Sequence, residues 1–212
     1  MNVLINQFKS LLPSFLLILL VSLVVIGFIF GLHLYNNVPL EALTNDLAAI
    51  AELPVYTGIL SQTGIFIWSA AATICLFSSQ FVKEKLPKTF LVTSALITLL
   101  LGLDDVFMFH ELVFPALGIH QKIVFLSYGL LMLWYLIRFL RLILKTDFVM
   151  LAFALSCFAL SLFVDNFMYN ASPYISKLLE DGAKFIGIIA WLVYYIRISQ
   201  QFILQKKPNE LN

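Results

Sequence analysis

Six apolar segments recur along the chain, and a less apolar stretch separates each one from the next. A helix needs about 20 apolar residues to cross the hydrocarbon core of a bilayer, because each residue adds about 1.5 Å. Every segment is close to that length or longer. The pattern therefore predicts six transmembrane helices, at about residues 13–35, 58–82, 89–114, 121–144, 147–169 and 181–204.

Composition supports the same class of protein. Hydrophobic residues make up 61% of the chain, charged residues make up 12%, and the mean hydropathy is +0.97. Such a chain has too little polar surface to remain soluble. We expect an all-α, polytopic integral membrane protein in which residues 1–212 form a single transmembrane domain. The bilayer is the expected partner, nothing resembles a nucleic-acid-binding patch, and the oligomeric state is not indicated.

The basic residues predict how the six helices are oriented. Ten of the thirteen fall on one side of a six-helix topology, and lysine and arginine are enriched in cytoplasmic loops. Both termini are therefore expected to be cytoplasmic, with a bacterial cytoplasmic membrane as the expected location. The ten are Lys9, Lys83, Lys85, Lys88, Arg138, Arg141, Lys145, Arg197, Lys206 and Lys207.

The first outer loop contains a helical pattern of its own. After Pro39, which suits the first turn of a helix, leucine and isoleucine recur every three or four residues. The loop is thus expected to form a short amphipathic helix. The apolar positions are Leu40, Leu43, Leu47, Ile50 and Leu53.

Two adjacent aspartates, Asp104 and Asp105, interrupt the third apolar segment. A charged side chain at the centre of a membrane helix costs roughly 2.5 to 3.5 kcal/mol, so we expect both to face protein partners. At 100° per residue, Asp104 and Glu111 would share one helix face, with Asp105 about 100° away. Because like charges so close together repel, we expect either one aspartate to be protonated or a bound cation to hold both.

Polar residues of the later segments meet at the same end of the predicted bundle. The topology brings them together in a pocket open to the extracytoplasmic side. The predicted catalytic residues are Asp104, Asp105, Glu111 and Lys184, and the predicted ligand-binding residues are His110, Asp165, Glu180 and Asp181.

Lys184 lies about one helical turn deeper than Glu180 and Asp181. A lysine at that depth requires a carboxylate partner from another helix, and the expected partners are Asp104 and Asp165. The simplest interpretation is a structural ion pair that joins the third, fifth and sixth helices.

Two functional interpretations follow from the cluster. Carboxylates and histidines are ligands for zinc, manganese or iron, so one hypothesis is a divalent-metal-dependent membrane enzyme acting on a lipid or another amphipathic substrate. The chain has no HExxH motif and no two histidines one turn apart. On a continuous helix, Asp104, Asp105 and His110 of the sequence DDxxxxHE would point in three different directions. The alternative is a non-enzymatic protein for binding, transport or sensing of an ion or small molecule, with the charges in a structural or proton-linked network.

Overall fold

The computed structural model describes the backbone of residues 2–167 and 173–204. Side chains are described for residues 7, 9, 11–165 and 174–204. Within these residues the chain forms helices and turns and contains no strand. Residues 168 and 169, at the end of the fifth predicted segment, lie outside the described residues.

The helices follow one another along the chain with short connections. In order they are α1 (Asn2–Asn36), α2 (Leu40–Thr44), α3 (Leu47–Ile50), α4 (Ile59–Ser79), α5 (Lys85–Phe107), a π-helical turn (Phe109–Val113), α6 (Phe114–Ala116), α7 (Gln121–Ile143), α8 (Phe148–Phe167) and α9 (Pro173–Leu204). Six of them, α1, α4, α5, α7, α8 and α9, are long and apolar enough to cross a membrane. The prediction of an all-helical protein with six such helices is confirmed.

Contacts divide the chain into two compact units, Met1–Thr57 and Gly58–Asn212. In the first unit, the ring of His33 donates a hydrogen bond through Nδ1 to the carbonyl oxygen of Val38 (2.7 Å), just after the end of α1. The loop that follows forms two short helices, α2 and α3, where the sequence predicted one. Asn45 and Asp46 separate them in extended conformations, which suits side chains that favour helix ends over helix interiors.

Within the second unit, α9 packs against α8 and α4, and α4 packs against α5. Two glycines sit at close contacts between these helices. A Cβ atom on Gly102 would lie 3.1 Å from Trp68 Cβ, and one on Gly187 would lie 2.6 Å from Phe158 Cε1. The absence of a side chain at these two positions allows α4 to approach α5 and α8 to approach α9.

Long side chains, rather than close backbone approach, attach α7 to its neighbours. The ring of Tyr135 is fully buried and stacks on Phe90 of α5, with ring centroids 5.6 Å apart. Ser94 donates to the carbonyl of Phe90 (2.7 Å), so it accepts from the Tyr135 hydroxyl (2.7 Å), which in turn accepts from Tyr195 of α9 (2.9 Å). This hydroxyl chain links α5, α7 and α9 through side chains alone.

The third predicted helix is interrupted near its end. Helix α5 stops at Phe107, whereas the sequence predicted a helix to residue 114, and Met108 adopts the left-handed conformation (φ 49°, ψ 46°). A non-glycine residue in that conformation costs about 1–2 kcal/mol. The following turn is π-helical, and its amides at Glu111 and Leu112 bond to the carbonyl of Met108 at 3.2 and 2.8 Å. The chain direction therefore changes between Asp104 and His110.

Candidate functional site

A cavity of about 330 Å³ lies within the second unit. It is formed by side chains of α4, α5, the π-helical turn, α7, α8 and α9, near the end of the bundle where α5 ends and α7 begins. We call this the site end. The polar lining residues are Asp104, Asp105, His110, Glu111, Tyr128, Ser161, Asp165, Glu180 and Lys184, and the apolar ones include Trp68, Phe125, Met132, Leu155 and Phe158.

Asp104 accepts hydrogen bonds from three donors. Its Oδ1 accepts from the backbone amide of His110 and from the Tyr128 hydroxyl, both at 3.0 Å, and its Oδ2 lies 2.5 Å from Nδ1 of the His110 ring. The carboxylate is almost completely buried, with 8% of the side chain exposed. Hydrogen bonds to a charged group contribute roughly 1.5–3 kcal/mol each, which offsets the conformational cost at Met108. Asp104 thus fixes the turn that follows α5 and ties it to α7.

This arrangement contradicts the prediction that Asp104 and Glu111 share one helix face. Asp104 and Glu111 do not share a helix face, because the helix that would carry them ends at Phe107. The reversal at Met108 instead brings the ring of His110 back onto Asp104, although a continuous helix would have separated them. Glu111 lies on the other side of that ring, with its Oε1 3.4 Å from His110 Nε2.

His110 stands between two carboxylates. It lies beyond the last residue of the third spanning segment, and its ring is 4.8 Å from the ring of Phe125. Burial by itself lowers the pKa of His110, but the hydrogen bond and charge of Asp104, together with the charge of Glu111, outweigh burial and the opposing charge of Lys184, so the pKa is raised. The arrangement favours the imidazolium form, which can donate from both ring nitrogens.

Asp105 has a separate set of partners. It forms an ion pair with Lys184 of α9 and accepts a hydrogen bond from the indole nitrogen of Trp68 on α4 (2.9 Å). Only 10% of the Asp105 side chain is exposed, against 40% of Lys184. The prediction that Lys184 pairs with Asp104 or Asp165 is therefore wrong. The ion pair joins the third and sixth spanning helices, α5 and α9, as expected, but it does not include the fifth, α8.

The adjacent aspartates have separate protein partners. Because successive helical residues point about 100° apart, Asp104 faces α7 and the turn after α5, while Asp105 faces α4 and α9. Each carboxylate has its own positively charged or donor partners. The two carboxylates therefore share no partner among the described residues.

The remaining predicted residues differ in their relation to the cavity. Asp165 is half-buried on the cavity wall and makes no hydrogen bond or ion pair with any residue that the structure describes. Glu180 also lines the cavity, and one of its oxygens accepts from Lys177 Nζ at 3.0 Å. Asp181 lies 3.5 Å from the same nitrogen but does not line the cavity.

Two hydrogen-bond donors of the site were not identified from the sequence. Trp68 and Tyr128 donate to Asp105 and Asp104, respectively. In a membrane helix, both residue types also occur as interfacial anchors and packing residues, so their identity alone carries no information about a site. The useful signal is indirect: a buried carboxylate requires donors, and donors within apolar segments are few.

The cavity carries an excess of negative charge. Five carboxylates line it, namely Asp104, Asp105, Glu111, Asp165 and Glu180, against one lysine and one histidine. The excess is therefore four charges with His110 neutral and three with His110 protonated. Among the residues whose placement is described, no three His, Cys, Asp or Glu side chains lie close enough together to hold a metal ion.

No curated protein matches the chain, and no solved structure does. One family profile, described as a domain of unknown function (DUF8692), matches residues 16–198, which is most of the chain. The protein therefore belongs to the DUF8692 family.

Proposed function

We propose that the protein binds a small organic cation in the cavity at the site end. The charge balance of the cavity carries this proposal, since its carboxylates outnumber its positive groups. Asp104 and Asp105 are engaged by protein donors. Asp165 is the carboxylate on the wall with no partner among the described residues, and it is the group assigned to meet the ligand's positive charge.

An organic cation suits this lining better than a metal ion. The rings of Trp68, Phe125 and Phe158 line the cavity, and aromatic faces attract ammonium groups by about 0.5–2 kcal/mol each. A divalent metal would need several carboxylate or imidazole ligands around one point. The volume of about 330 Å³ is at the lower end of the ~300–1,000 Å³ typical of ligand pockets.

The geometry favours a protein for binding, transport or sensing over an enzyme. A general base needs a lone pair that faces its substrate. Asp104 already accepts from three donors, and both ring nitrogens of His110 face carboxylates. Among the described residues, the metal-dependent lipid enzyme predicted from the sequence therefore lacks a ligand set, and the Asp104–His110 pair offers it no free base.

The ligand carboxylate can be tested with the tetramethylammonium ion as the probe. We expect wild-type protein in mild detergent to bind it, measured by isothermal titration calorimetry. Asp165→Asn should weaken binding about tenfold or more while the protein stays folded, because opposite unit charges about 4 Å apart attract by about 4 kcal/mol at an effective dielectric constant of about 20.

Asp181→Asn is the matched control, because Asp181 lies at the same end of the protein but does not line the cavity. We expect its affinity for the probe to stay within twofold of wild type. Equal binding by Asp165→Asn and wild type, or tighter binding of acetate than of the ammonium ion, would refute the proposal.

As part of this proposal, we place the site end on the extracytoplasmic side of a bacterial cytoplasmic membrane. The support is the excess of lysine and arginine at the opposite end, where α4 ends and α5 begins. In intact cells, a membrane-impermeant maleimide should modify a cysteine introduced by Ala48→Cys but not one introduced by Glu84→Cys. After cell disruption both should react. Modification of Glu84→Cys in intact cells would reverse the orientation.

A further inference from the structure

We infer that the organic cation carries a single alkyl chain and reaches the cavity sideways from the bilayer, through a gap between α7 and α8. The inference rests on the proposed function and adds the ligand's chemical class and its route. It depends on three features of the second unit: how polarity changes along the cavity, where the cavity is exposed, and how deep that exposure lies.

Polarity changes along the cavity in one direction. On α8, Asp165 lies two residues before the helix end, whereas Leu155 lies twelve residues before it. Their separation of ten positions corresponds to about 15 Å along the helix axis. On α7, Tyr128 lies toward the site end and Met132 lies one turn deeper. The cavity therefore has a charged end and an apolar floor.

Small residues open the cavity on its α7 and α8 side. Gly129 and Ala159 both line it and are both exposed. A Cβ atom placed on Gly129 would meet nothing within 4 Å, so the glycine leaves open space beside the cavity. The neighbouring Leu162 also lines the cavity and is 43% exposed. We call this opening the lateral gap.

The lateral gap lies at the depth of the hydrocarbon core. Gly129 is eight residues from the first residue of α7, and Ala159 is eight residues from the last residue of α8. Each is thus about 12 Å from the site end of its helix, and the hydrocarbon core is about 30 Å thick. Only an apolar group is stable in such an opening.

These features define one class of ligand. In a bilayer, an amphiphile keeps its head group at the interface and its chain in the core, and the cavity has the same order from Asp165 to the lateral gap. Repulsion by the excess carboxylates disfavours anionic head groups. A cavity of about 330 Å³ suits one chain rather than two. The ligand is therefore a single-chain amphiphile with an ammonium head group.

Tryptophan fluorescence provides a direct test, because Trp68 is on the cavity wall. Trp134 is 52% exposed and is first replaced by phenylalanine to remove its signal. The remaining signal comes from Trp68 and from the fully buried Trp191, whose ring centroid lies 6.0 Å from that of Trp68. We expect a dibrominated dodecylammonium ion to quench the remaining fluorescence saturably, and dibrominated dodecanoate to quench at least tenfold less at equal concentration. Equal quenching by the two probes would overturn the inference.

A second substitution tests the route. In the same background, Gly129→Phe should reduce the affinity for the brominated ammonium probe about tenfold, or slow its association by that factor. Leu130→Phe is the control, because Leu130 is 57% exposed on the same helix and does not line the cavity. If Gly129→Phe does not fold, Ala159→Leu narrows the lateral gap from the α8 side. We expect it to reduce the affinity or the association rate for the brominated ammonium probe by the same factor.

The short tetramethylammonium ion separates failure of this inference from failure of the proposed function. If it binds and requires Asp165, but Gly129→Phe and Ala159→Leu leave the long-chain probe unaffected, the lateral route is wrong and the cation site remains. If neither ammonium probe binds, the proposed function itself fails. Loss of long-chain binding with tetramethylammonium binding kept within twofold supports both.

Discussion

Replacing Asp104 by asparagine is expected to destabilise the protein by about 3 kcal/mol and to release the turn after α5. The amide can still accept through one oxygen, but its NH₂ group would face a donor that the carboxylate now satisfies. The donors are the amide and ring of His110 and the Tyr128 hydroxyl. Hydrogen bonds to a charged group contribute roughly 1.5–3 kcal/mol each. Losing one or two of the three bonds to Asp104 therefore gives a destabilisation of this magnitude.

Hydrogen–deuterium exchange locates this effect. In Asp104→Asn protein, amide exchange across Phe109–Val113 should accelerate more than exchange in the middle of α4 or α9, because that turn is held by the carboxylate. Tyr128→Phe is the graded control: it removes one of the three donors, should cost about 1.5 kcal/mol, and should leave the turn protected. Unchanged exchange in Asp104→Asn would show that the left-handed turn at Met108 is stable without the carboxylate.

Lys184→Met should cost about 2–3 kcal/mol, because it leaves the Asp105 charge buried with only the indole of Trp68 as a partner. Removing one member of a fully buried pair costs more, but the Lys184 side chain is 40% exposed, which reduces the loss. Thermal unfolding in detergent measures the loss of stability caused by Lys184→Met. Adding Asp105→Asn should recover at least about 1 kcal/mol, because paired residues are coupled.

Lys177→Met is the control for loss of a lysine on the same helix. Lys177 is 58% exposed and pairs with Glu180 and Asp181 at helix-surface spacing, so its removal should cost less than about 0.5 kcal/mol. Strictly additive losses for Lys184→Met and Asp105→Asn would show that the lysine does not neutralise Asp105 in the membrane.

The sequence was sufficient to predict the helices and the region of the site. It was insufficient to predict which charged side chains of the site pair with each other. The six long helices follow from hydropathy, and topology alone brings α5, α7, α8 and α9 together at one end. The partner of Lys184 depends on helix rotation, which a hydrophobic pattern does not define for helices that are apolar on most sides. A difference of one residue decides which neighbour a carboxylate faces: Asp104 faces α7, whereas Asp105 faces α4 and α9.

The turn at Met108 could not have been predicted from local sequence. Left-handed residues are normally signalled by glycine or asparagine, and LDDVFMFHELV contains neither. The conformation is held by tertiary contacts, chiefly the return of His110 to Asp104. The prediction that Asp104 and Glu111 share one helix face assumed an unbroken helix. It was wrong because the helix ends before Met108.

The hydroxyl chain across the middle of the second unit bears on proton movement. Its polarity is fixed: Tyr195 donates to Tyr135, Tyr135 donates to Ser94, and Ser94 donates to a main-chain carbonyl. A relay by hydroxyl hopping must deliver a proton to an acceptor that can pass it onward, and a peptide oxygen cannot do so. Among the described residues, no hydrogen bond links Ser94, Tyr135 or Tyr195 to a residue that lines the cavity, so this hydroxyl chain does not connect the cavity carboxylates with the opposite end of the bundle.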